Sequence, residues 1–264
     1  MGAVSPTAPA SDSTMAGAMI LGTPRRHPAD ASPSICYIVS MRSFSAVLMM
    51  VAAMLAGPAA QAEALAPIPL VSAGSLASAV ARLNNGTGQH CTAVLINDTE
   101  AATAAHCLYN RKTKRWIAPG AIHLLFGFDR GSYDFHTVST RYRTGRYKPA
   151  QPMEAATEDW AILELAQAPP KEFARITTDP EPSAGQRFRV VGFASPRPYI
   201  LSEATECVAK KRGGLIGSQC PIAAGMSGAP LIDMETGALI GIQVGGLRSG
   251  ERNILIGIPA SAWQ

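Results

Sequence analysis

Charged and aromatic residues are scarce in this sequence. Of its 264 residues, 16% are charged and 6% aromatic, whereas 47% are hydrophobic. Disordered chains need low hydrophobicity and a high net charge, and the formal net charge here is only +4. No uninterrupted run of Lys and Arg is longer than Lys210–Arg212, so nothing indicates a nucleic-acid-binding face. The composition therefore predicts a folded chain with a sizeable core and no nucleic-acid partner.

The main apolar run is too short to cross a membrane. It covers residues 44–56, and 13 residues at 1.5 Å each do not span a hydrocarbon core of about 30 Å. A transmembrane helix is therefore the weaker interpretation. The run follows Met41 and Arg42 and precedes small residues ending at Ala62, which is the arrangement of a secretory signal peptide. We expect residues 1–40 to be either a disordered extension or a stretch that precedes the true start of translation at Met41. Residues 41–62 are predicted to form the signal peptide, and residues 63–264 the mature domain.

Cysteine is present in an odd number, five, but the predicted leader contains one of them, Cys36. The exported chain keeps Cys91, Cys107, Cys207 and Cys220. An even number in a secreted or periplasmic protein indicates disulfides, and four cysteines allow three pairings. The sequence-local pairs, 91–107 and 207–220, have the lowest cost of loop closure. A zinc site is the alternative, but C-x-x-C and H-x-x-x-H spacings are lacking, so we expect no metal.

Long helical patterns are also lacking, whereas glycine and proline are frequent, with 24 and 20 residues. Short helices are expected only at residues 101–108 and at the C-terminus. This pattern predicts an all-β chain with an antiparallel barrel or sandwich. The proline-rich segment 168–182 is predicted to link two halves. Short apolar or alternating runs bounded by turn residues predict strands at 91–96, 121–128, 160–165, 187–193, 229–232 and 238–244.

Three separate segments carry side chains suited to nucleophilic catalysis. His106 follows small residues in Thr-Ala-Ala-His-Cys, which leave its imidazole accessible. Asp159 begins an apolar strand, where a partly buried carboxylate needs a partner such as an imidazole N–H. Ser227 lies between Gly225 and Gly228, and glycines allow a tight turn that exposes the hydroxyl and nearby N–H groups. Each pattern alone also occurs in ordinary loops and strands.

Taken together in this order, the three segments resemble the chymotrypsin/trypsin-like serine peptidase family, in its bacterial trypsin-like or glutamyl-endopeptidase-like branch. The order His106, Asp159, Ser227, with spacings of 53 and 68 residues, differs from the orders in subtilisins and α/β-hydrolases. The resemblance covers residues 78–258. It implies two antiparallel six-stranded β-barrels, at about residues 75–167 and 183–258, with the active site in the cleft between them.

The resemblance also implies the role of each residue. Ser227 would attack the scissile carbonyl and form an acyl-enzyme, His106 would carry the proton, and Asp159 would orient His106. The N–H groups of Gly225 and Ser227 would form the oxyanion hole. The protein would act without a cofactor, as a monomer, on a protein or peptide substrate. The predicted signal peptide further implies a secreted or periplasmic protein, without stable membrane insertion after the signal peptide is cleaved.

Other positions define the cystine and the specificity pocket that the resemblance implies. Cys91 and Cys107 match the family's cystine beside the histidine. Pro221 stands where trypsins carry an Asp for basic side chains, and Gln243 stands where glutamyl endopeptidases carry a His. An uncharged pocket for small or apolar side chains is therefore expected. The predicted pocket residues are Pro221, Ile222, Ala223, Gln243, Val244 and Gly246.

Two other function classes remain as alternatives. A non-catalytic binding protein of the same fold usually lacks one of the three catalytic residues, whereas this chain has all three. An esterase of another superfamily would need the order Ser, Asp, His, which this chain does not have.

Overall fold

The computed structural model describes residues 66–67, 75–179, 182–249 and 252–264. The predicted extension and signal peptide lie outside these residues. In the described part, the chain consists of strands, turns and single-turn 3₁₀ helices, and none of these helices is long and apolar enough to span a membrane. The 3₁₀ helices are Leu76–Ala79, Ala105–Leu108, Pro119–Ala121, Ala156–Glu158 and Ala260–Ala262. The strands are β1 (Ala66–Pro67), β2 (Val80–Asn84), β3 (His90–Leu95), β4 (Glu100–Thr103), β5 (Tyr109–Asn110), β6 (Arg115–Trp116), β7 (His123–Phe126), β8 (Phe135–Thr144), β9 (Ala161–Leu165), β10 (Arg187–Gly192), β11 (Ser202–Val208), β12 (Lys210–Arg212), β13 (Leu215–Gln219), β14 (Pro230–Asp233), β15 (Leu239–Ser249) and β16 (Arg252–Pro259).

Six strands of the first half form a closed antiparallel barrel, in the order β2, β3, β4, β9, β8, β7. Its interior is filled by apolar side chains that are almost completely removed from water. Burial of each such side chain contributes about 1.5–3 kcal/mol, so this core holds the barrel together. The largest of them are Leu83, Leu95, Leu108, Ile122, Leu124, Phe126, Ile162 and Leu163.

The second half forms an eight-stranded sheet, in the order β1, β11, β10, β14, β15, β16, β13, β12. Its six main strands run from β11 to β13, and the sheet curls until these two strands approach each other. The seam is joined by the Cys207–Cys220 disulfide and by the N–H of Val208, which donates to Ser218 Oγ at 3.1 Å. The two-barrel architecture expected from the sequence is therefore present. The second barrel is closed by these two contacts and not by backbone hydrogen bonds between β11 and β13.

The short helix expected at residues 101–108 is present only at Ala105–Leu108, as a single 3₁₀ turn, and the expectation is wrong for residues 101–103. The chain forms β4 there, followed by the 3₁₀ turn Ala105–Leu108. Strand β4 pairs with β3 on one side and with β9 on the other, which satisfies its backbone groups. Ala101 and Ala102 are fully buried in the barrel wall. Tertiary pairing here overrides the helix preference of alanine.

Candidate active site

Two neighbouring strands bring His106 and Asp159 together. His106 lies in the 3₁₀ turn directly after β4, and Asp159 follows the turn Ala156–Glu158 directly before β9. Because β4 and β9 are antiparallel partners, the end of one strand lies beside the start of the other. The N–H of Ala105 also donates to the carbonyl oxygen of Asp159 at 3.2 Å. The first barrel therefore fixes the spacing between the two side chains.

The carboxylate of Asp159 contacts His106 at two points. Its Oδ1 accepts the backbone N–H of His106 at 2.8 Å, and its Oδ2 lies 2.7 Å from Nδ1 of the ring. A carboxylate only accepts hydrogen bonds, so Nδ1 carries the proton and Nε2 of the neutral ring is a free base. Asp159 is only 5% exposed, which protects this contact from water. The arrangement suits a general base at Nε2.

A buried tyrosine lies beside this pair. The ring of Tyr147 is 6.4 Å from the ring of His106, and the residue is 7% exposed. Burial raises the pKa of Tyr147, and the negative charge of Asp159 raises it further, against the opposing effect of a contact with Arg111. The phenol therefore stays neutral and shields one side of the histidine.

The loop that carries Ser227 docks against the first barrel. The N–H of Thr92 in β3 donates to the carbonyl oxygen of Ser227 at 2.8 Å. Gly228 has a φ of +84°, and a Cβ there would clash with the carbonyl of Thr92 and the hydroxyl of Thr103. Only glycine allows the loop to approach this closely, so Gly228 positions Ser227 at the boundary between the barrels.

Two N–H groups of this loop are free to bind a negatively charged oxygen. Among the described residues, neither the N–H of Gly225 nor that of Ser227 donates a hydrogen bond. The hydroxyl of Thr92 donates to the carbonyl oxygen of Gly225 at 3.0 Å and accepts the N–H of Phe193 at 3.1 Å. Gly225 has a φ of +89°, and a Cβ there would clash with the ring of His90.

His90 was not among the sequence-predicted site residues, yet its ring lies against Gly225 of this loop. Its Nε2 donates to the carbonyl oxygen of Phe193 at 2.9 Å. Burial lowers the pKa of His90, the hydrogen bond to Phe193 opposes that effect, and the positive charge of Arg82 adds to it. Neither His90 nor Thr92 lies in a recognisable sequence motif. Their contacts with Phe193 and Gly225 are formed only in the folded structure.

His106 and Ser227 line one open cleft of about 700 Å³. Within the described residues, the hydroxyl of Ser227 has no hydrogen-bond partner, and none joins it to His106. In ligand-free structures such bonds are often long and tighten when substrate binds. The cleft is lined by Asn85, Thr87, Gly88, Gln89, His90, Cys91, His106, Cys107, Tyr109, Asn110, Arg111, Lys112, Ser195, Ala224, Gly225 and Ser227.

The four cysteines form the two sequence-local pairs, Cys91–Cys107 and Cys207–Cys220. The sulfurs of Cys91 and Cys107 and one ring nitrogen of His106 lie within 4.8 Å of one another. Both sulfurs are used in the disulfide bond, so they are not thiolate ligands for zinc. The cystine instead joins β3 to the turn that carries His106.

The predicted pocket residues form a separate group. In the described part of the chain, none of them lines the cleft that contains His106 and Ser227. The side chain of Ile222 lies directly against Gly246, where a Cβ would clash with it. Gln243 is 2% exposed, and its Oε1 has no hydrogen-bond partner among the described residues. Pro221 and Ala223 are partly exposed, and Val244 is buried.

Comparison with known proteins identifies the family. A family model described as the trypsin-like peptidase domain matches residues 91–242, more than half of the chain. The chain belongs to the trypsin-like peptidase domain family. Its trypsin-like serine protease fold supports peptidase activity. The search of curated proteins found no match.

Solved structures share the fold of this peptidase domain at low identity. A Glu endopeptidase is 16% identical, with a TM-score of 0.60, and the match covers 73% of this chain and 92% of that chain. A thermostable serine protease from an extremophilic microorganism is 16% identical, with a TM-score of 0.56, covering 69% and 91%. Human heparin binding protein is 17% identical, with a TM-score of 0.58, covering 74% and 91%.

Proposed function

We propose that this protein is a secreted serine endopeptidase that cleaves peptide bonds through a Ser-His-Asp triad. The observation that carries the proposal is the two-point contact of Asp159 with His106 in a cleft that Ser227 also lines. Acyl transfer requires an oriented histidine, a serine hydroxyl and oxyanion donors, and this cleft contains the histidine, the serine and two free N–H groups.

The proposed reaction runs in two stages. Ser227 Oγ attacks the scissile carbonyl carbon while its proton passes to Nε2 of His106, and the N–H groups of Gly225 and Ser227 bind the resulting oxyanion. Collapse of this intermediate breaks the C–N bond, and His106 gives the proton to the leaving amine. A water molecule then attacks the acyl-enzyme by the same route, which releases the acid and restores Ser227. Asp159 stabilises the imidazolium formed in both stages.

The proposed acyl-side pocket is small and uncharged. Ile222 lies against Gly246 and occupies space that a long side chain would need. The pocket positions offer no charged group, since they are Pro221, Ile222, Ala223, Gln243, Val244 and Gly246. We therefore infer a preference for a small or apolar residue before the scissile bond.

The proposed organisation of the chain places this activity outside the cytoplasm. Residues 41–62 would act as the signal peptide and residues 63–264 as the mature peptidase. The two cystines support export, because disulfides persist in oxidising compartments.

A non-catalytic binding protein remains the second candidate, because the Ser227 hydroxyl makes no hydrogen bond to His106 in the described residues. Human heparin binding protein, by its name, has a binding function on this fold. Fold alone does not decide between the two.

A fluorophosphonate probe distinguishes these candidates. Mature protein should be labelled, Ser227→Ala should not, and Ser183→Ala, which alters an exposed serine far from the triad in sequence, should be labelled like wild type. Digestion of a peptide library should then give the acyl-side preference. Absence of both labelling and cleavage in wild type, even after limited N-terminal processing, would refute the peptidase proposal.

A further inference from the structure

A strongly basic hairpin lies at the rim of the cleft. Strands β5 and β6 pair as a two-stranded ribbon, with Tyr109 opposite Trp116 and Asn110 opposite Arg115. The segment between them and its borders contain four cations, Arg111, Lys112, Lys114 and Arg115, and residues 109–116 include no acidic side chain. All four cationic residues are exposed.

The hairpin is held in a defined position. Asn110 Oδ1 accepts the N–H groups of Lys112 and Thr113 at 3.0 and 3.1 Å, which shapes the turn. The rings of Tyr109 and Trp116 pack edge to face at a centroid distance of 5.5 Å. The N–H of Ile117 donates to the carbonyl of Leu108 at 2.8 Å, which fixes the base of the hairpin. The four cations are therefore carried on a supported framework.

Two of these cations reach the cleft itself. Arg111 and Lys112 line it together with His106 and Ser227. In the described ranges, neither Arg111 nor Lys112 has a carboxylate partner within salt-bridge distance. Arg111 contacts the neutral phenol of Tyr147 instead. The positive charge of Arg111 and Lys112 is therefore not neutralised by a carboxylate within the described part of the chain.

In the proposed binding mode, the cleft lies on the leaving-group side of the scissile bond. The proposed acyl-side residues, represented by Ile222 and Gln243, do not line it in the part of the chain that the structure describes. A substrate that places its acyl side chain against those residues and its carbonyl at Ser227 continues past His106 into this cleft. The residues after the scissile bond therefore meet Arg111 and Lys112.

We propose that Arg111 and Lys112 select peptide substrates with Asp or Glu in the first residues after the scissile bond. This inference rests on the proposed peptidase function and adds the substrate class to it. A carboxylate in that segment would pair with cations that have no acidic partner among the residues that the structure describes, whereas a Lys or Arg would be repelled.

The test compares matched peptides that share the acyl-side sequence found by the library digest. They differ only in carrying Glu, Gln or Lys at the second residue after the scissile bond. Wild type should cleave the Glu peptide with a kcat/KM about three- to tenfold above that of the Gln peptide. This ratio should fall as salt rises from about 50 mM to about 500 mM, because ions screen exposed charges. The Lys peptide should be the poorest substrate.

The double variant Arg111→Gln/Lys112→Gln should bring the Glu-to-Gln ratio close to one. Lys171→Gln, an exposed cation outside the cleft, is the matched control and should keep the wild-type ratio. Binding of the same peptides to Ser227→Ala, measured by fluorescence anisotropy, should show the same preference without turnover.

The outcomes separate this inference from the proposed function. Cleavage with equal rates on the Glu and Gln peptides would overturn the inference and leave the peptidase proposal intact. Lack of cleavage and of probe labelling would overturn both. If the double variant loses affinity for a sulfated polysaccharide while its Glu-to-Gln ratio stays at the wild-type value, the hairpin is a polyanion-binding surface, and the inference is wrong.

Discussion

The hydroxyl of Thr92, in the first barrel, donates a hydrogen bond to the carbonyl oxygen of Gly225, in the second. The same hydroxyl accepts the N–H of Phe193, so one side chain ties two segments of the second barrel to β3. The peptide group that Thr92 holds lies between the two proposed oxyanion donors. This bond therefore couples the packing of the barrels to the shape of the proposed oxyanion hole.

Thr92→Val should weaken both catalysis and folding. Valine has the shape of threonine but leaves the N–H of Phe193 and the carbonyl of Gly225 without partners, at a cost of about 1–3 kcal/mol each when buried. We expect kcat to fall more than KM rises, together with a lower melting temperature. Thr92→Ser keeps the hydroxyl and should retain most activity. Equal effects of the two variants would show that the hydroxyl is not the relevant group.

Asp159→Asn should lower kcat/KM by about 10⁴-fold. An asparagine that still accepts the N–H of His106 turns its NH₂ group toward Nδ1, which favours the ring tautomer with the proton on Nε2. That tautomer cannot accept the serine proton. Asp98→Asn, at a surface side chain that is 72% exposed and pairs with Arg175, is the matched control and should keep wild-type activity. A loss below tenfold for Asp159→Asn would argue against the triad.

Gly228→Ala should prevent correct packing of the serine loop. Gly228 and Gly185 have nearly the same φ, +84° and +85°, so alanine at either position carries a backbone penalty of about 1–3 kcal/mol. At Gly185 no described heavy atom lies within 4 Å of the added Cβ, whereas at Gly228 the methyl clashes with Thr92 and Thr103. Urea denaturation should give a larger loss for Gly228→Ala, with loss of probe labelling only there. Similar losses would mean that the close approach is unimportant.

Stability should decrease in mild acid because of His90. Its folded-state pKa is lowered, mainly by burial, so the unfolded chain takes up this proton at a higher pH than the folded chain. The free energy of unfolding is unaffected by His90 above the ordinary histidine pKa of about 6.5 and declines as pH falls toward the lowered value.

The comparison between wild type and His90→Gln isolates this contribution. Glutamine can donate to the carbonyl of Phe193 but does not titrate. Urea denaturation at about pH 7.5 and about pH 5.5 should show a smaller loss of stability for the variant than for wild type. An equal loss in both proteins would assign the pH dependence to other groups.

The cystine beside His106 should contribute to stability. It closes a loop with a sequence separation of 16, for which chain entropy predicts about 3 kcal/mol. Cys91→Ala/Cys107→Ala should lower the free energy of unfolding by about that amount, measured by urea denaturation under oxidising conditions. Non-reducing peptide mapping of wild type should recover the 91–107 and 207–220 pairs. Recovery of other pairs would contradict two features of the structure. These are the link between β3 and the turn that carries His106, and the disulfide that joins β11 to the segment after β13.

Local motifs made the family and the fold predictable. The residues around His106 and Ser227 act through short-range geometry, so small residues and glycines mark them in the sequence. Strand β4 was misjudged because its alanines favour a helix locally, and only pairing with β3 and β9 makes it a strand. Thr92 and His90 were missed because their partners, Phe193 and Gly225, lie more than a hundred residues away.

The seam of the second barrel has a consequence for solubility. Because β11 and β13 do not pair with each other, each would present backbone groups that invite strand addition from another molecule. The two-residue β1 covers part of β11, and β12 covers part of β13. Strand β12, Lys210–Arg212, is short, exposed and entirely cationic, so a second copy that approached along this edge would meet like charge. The second barrel thus lacks backbone pairing between β11 and β13, and the short strands β1 and β12 protect these edges against edge-to-edge aggregation.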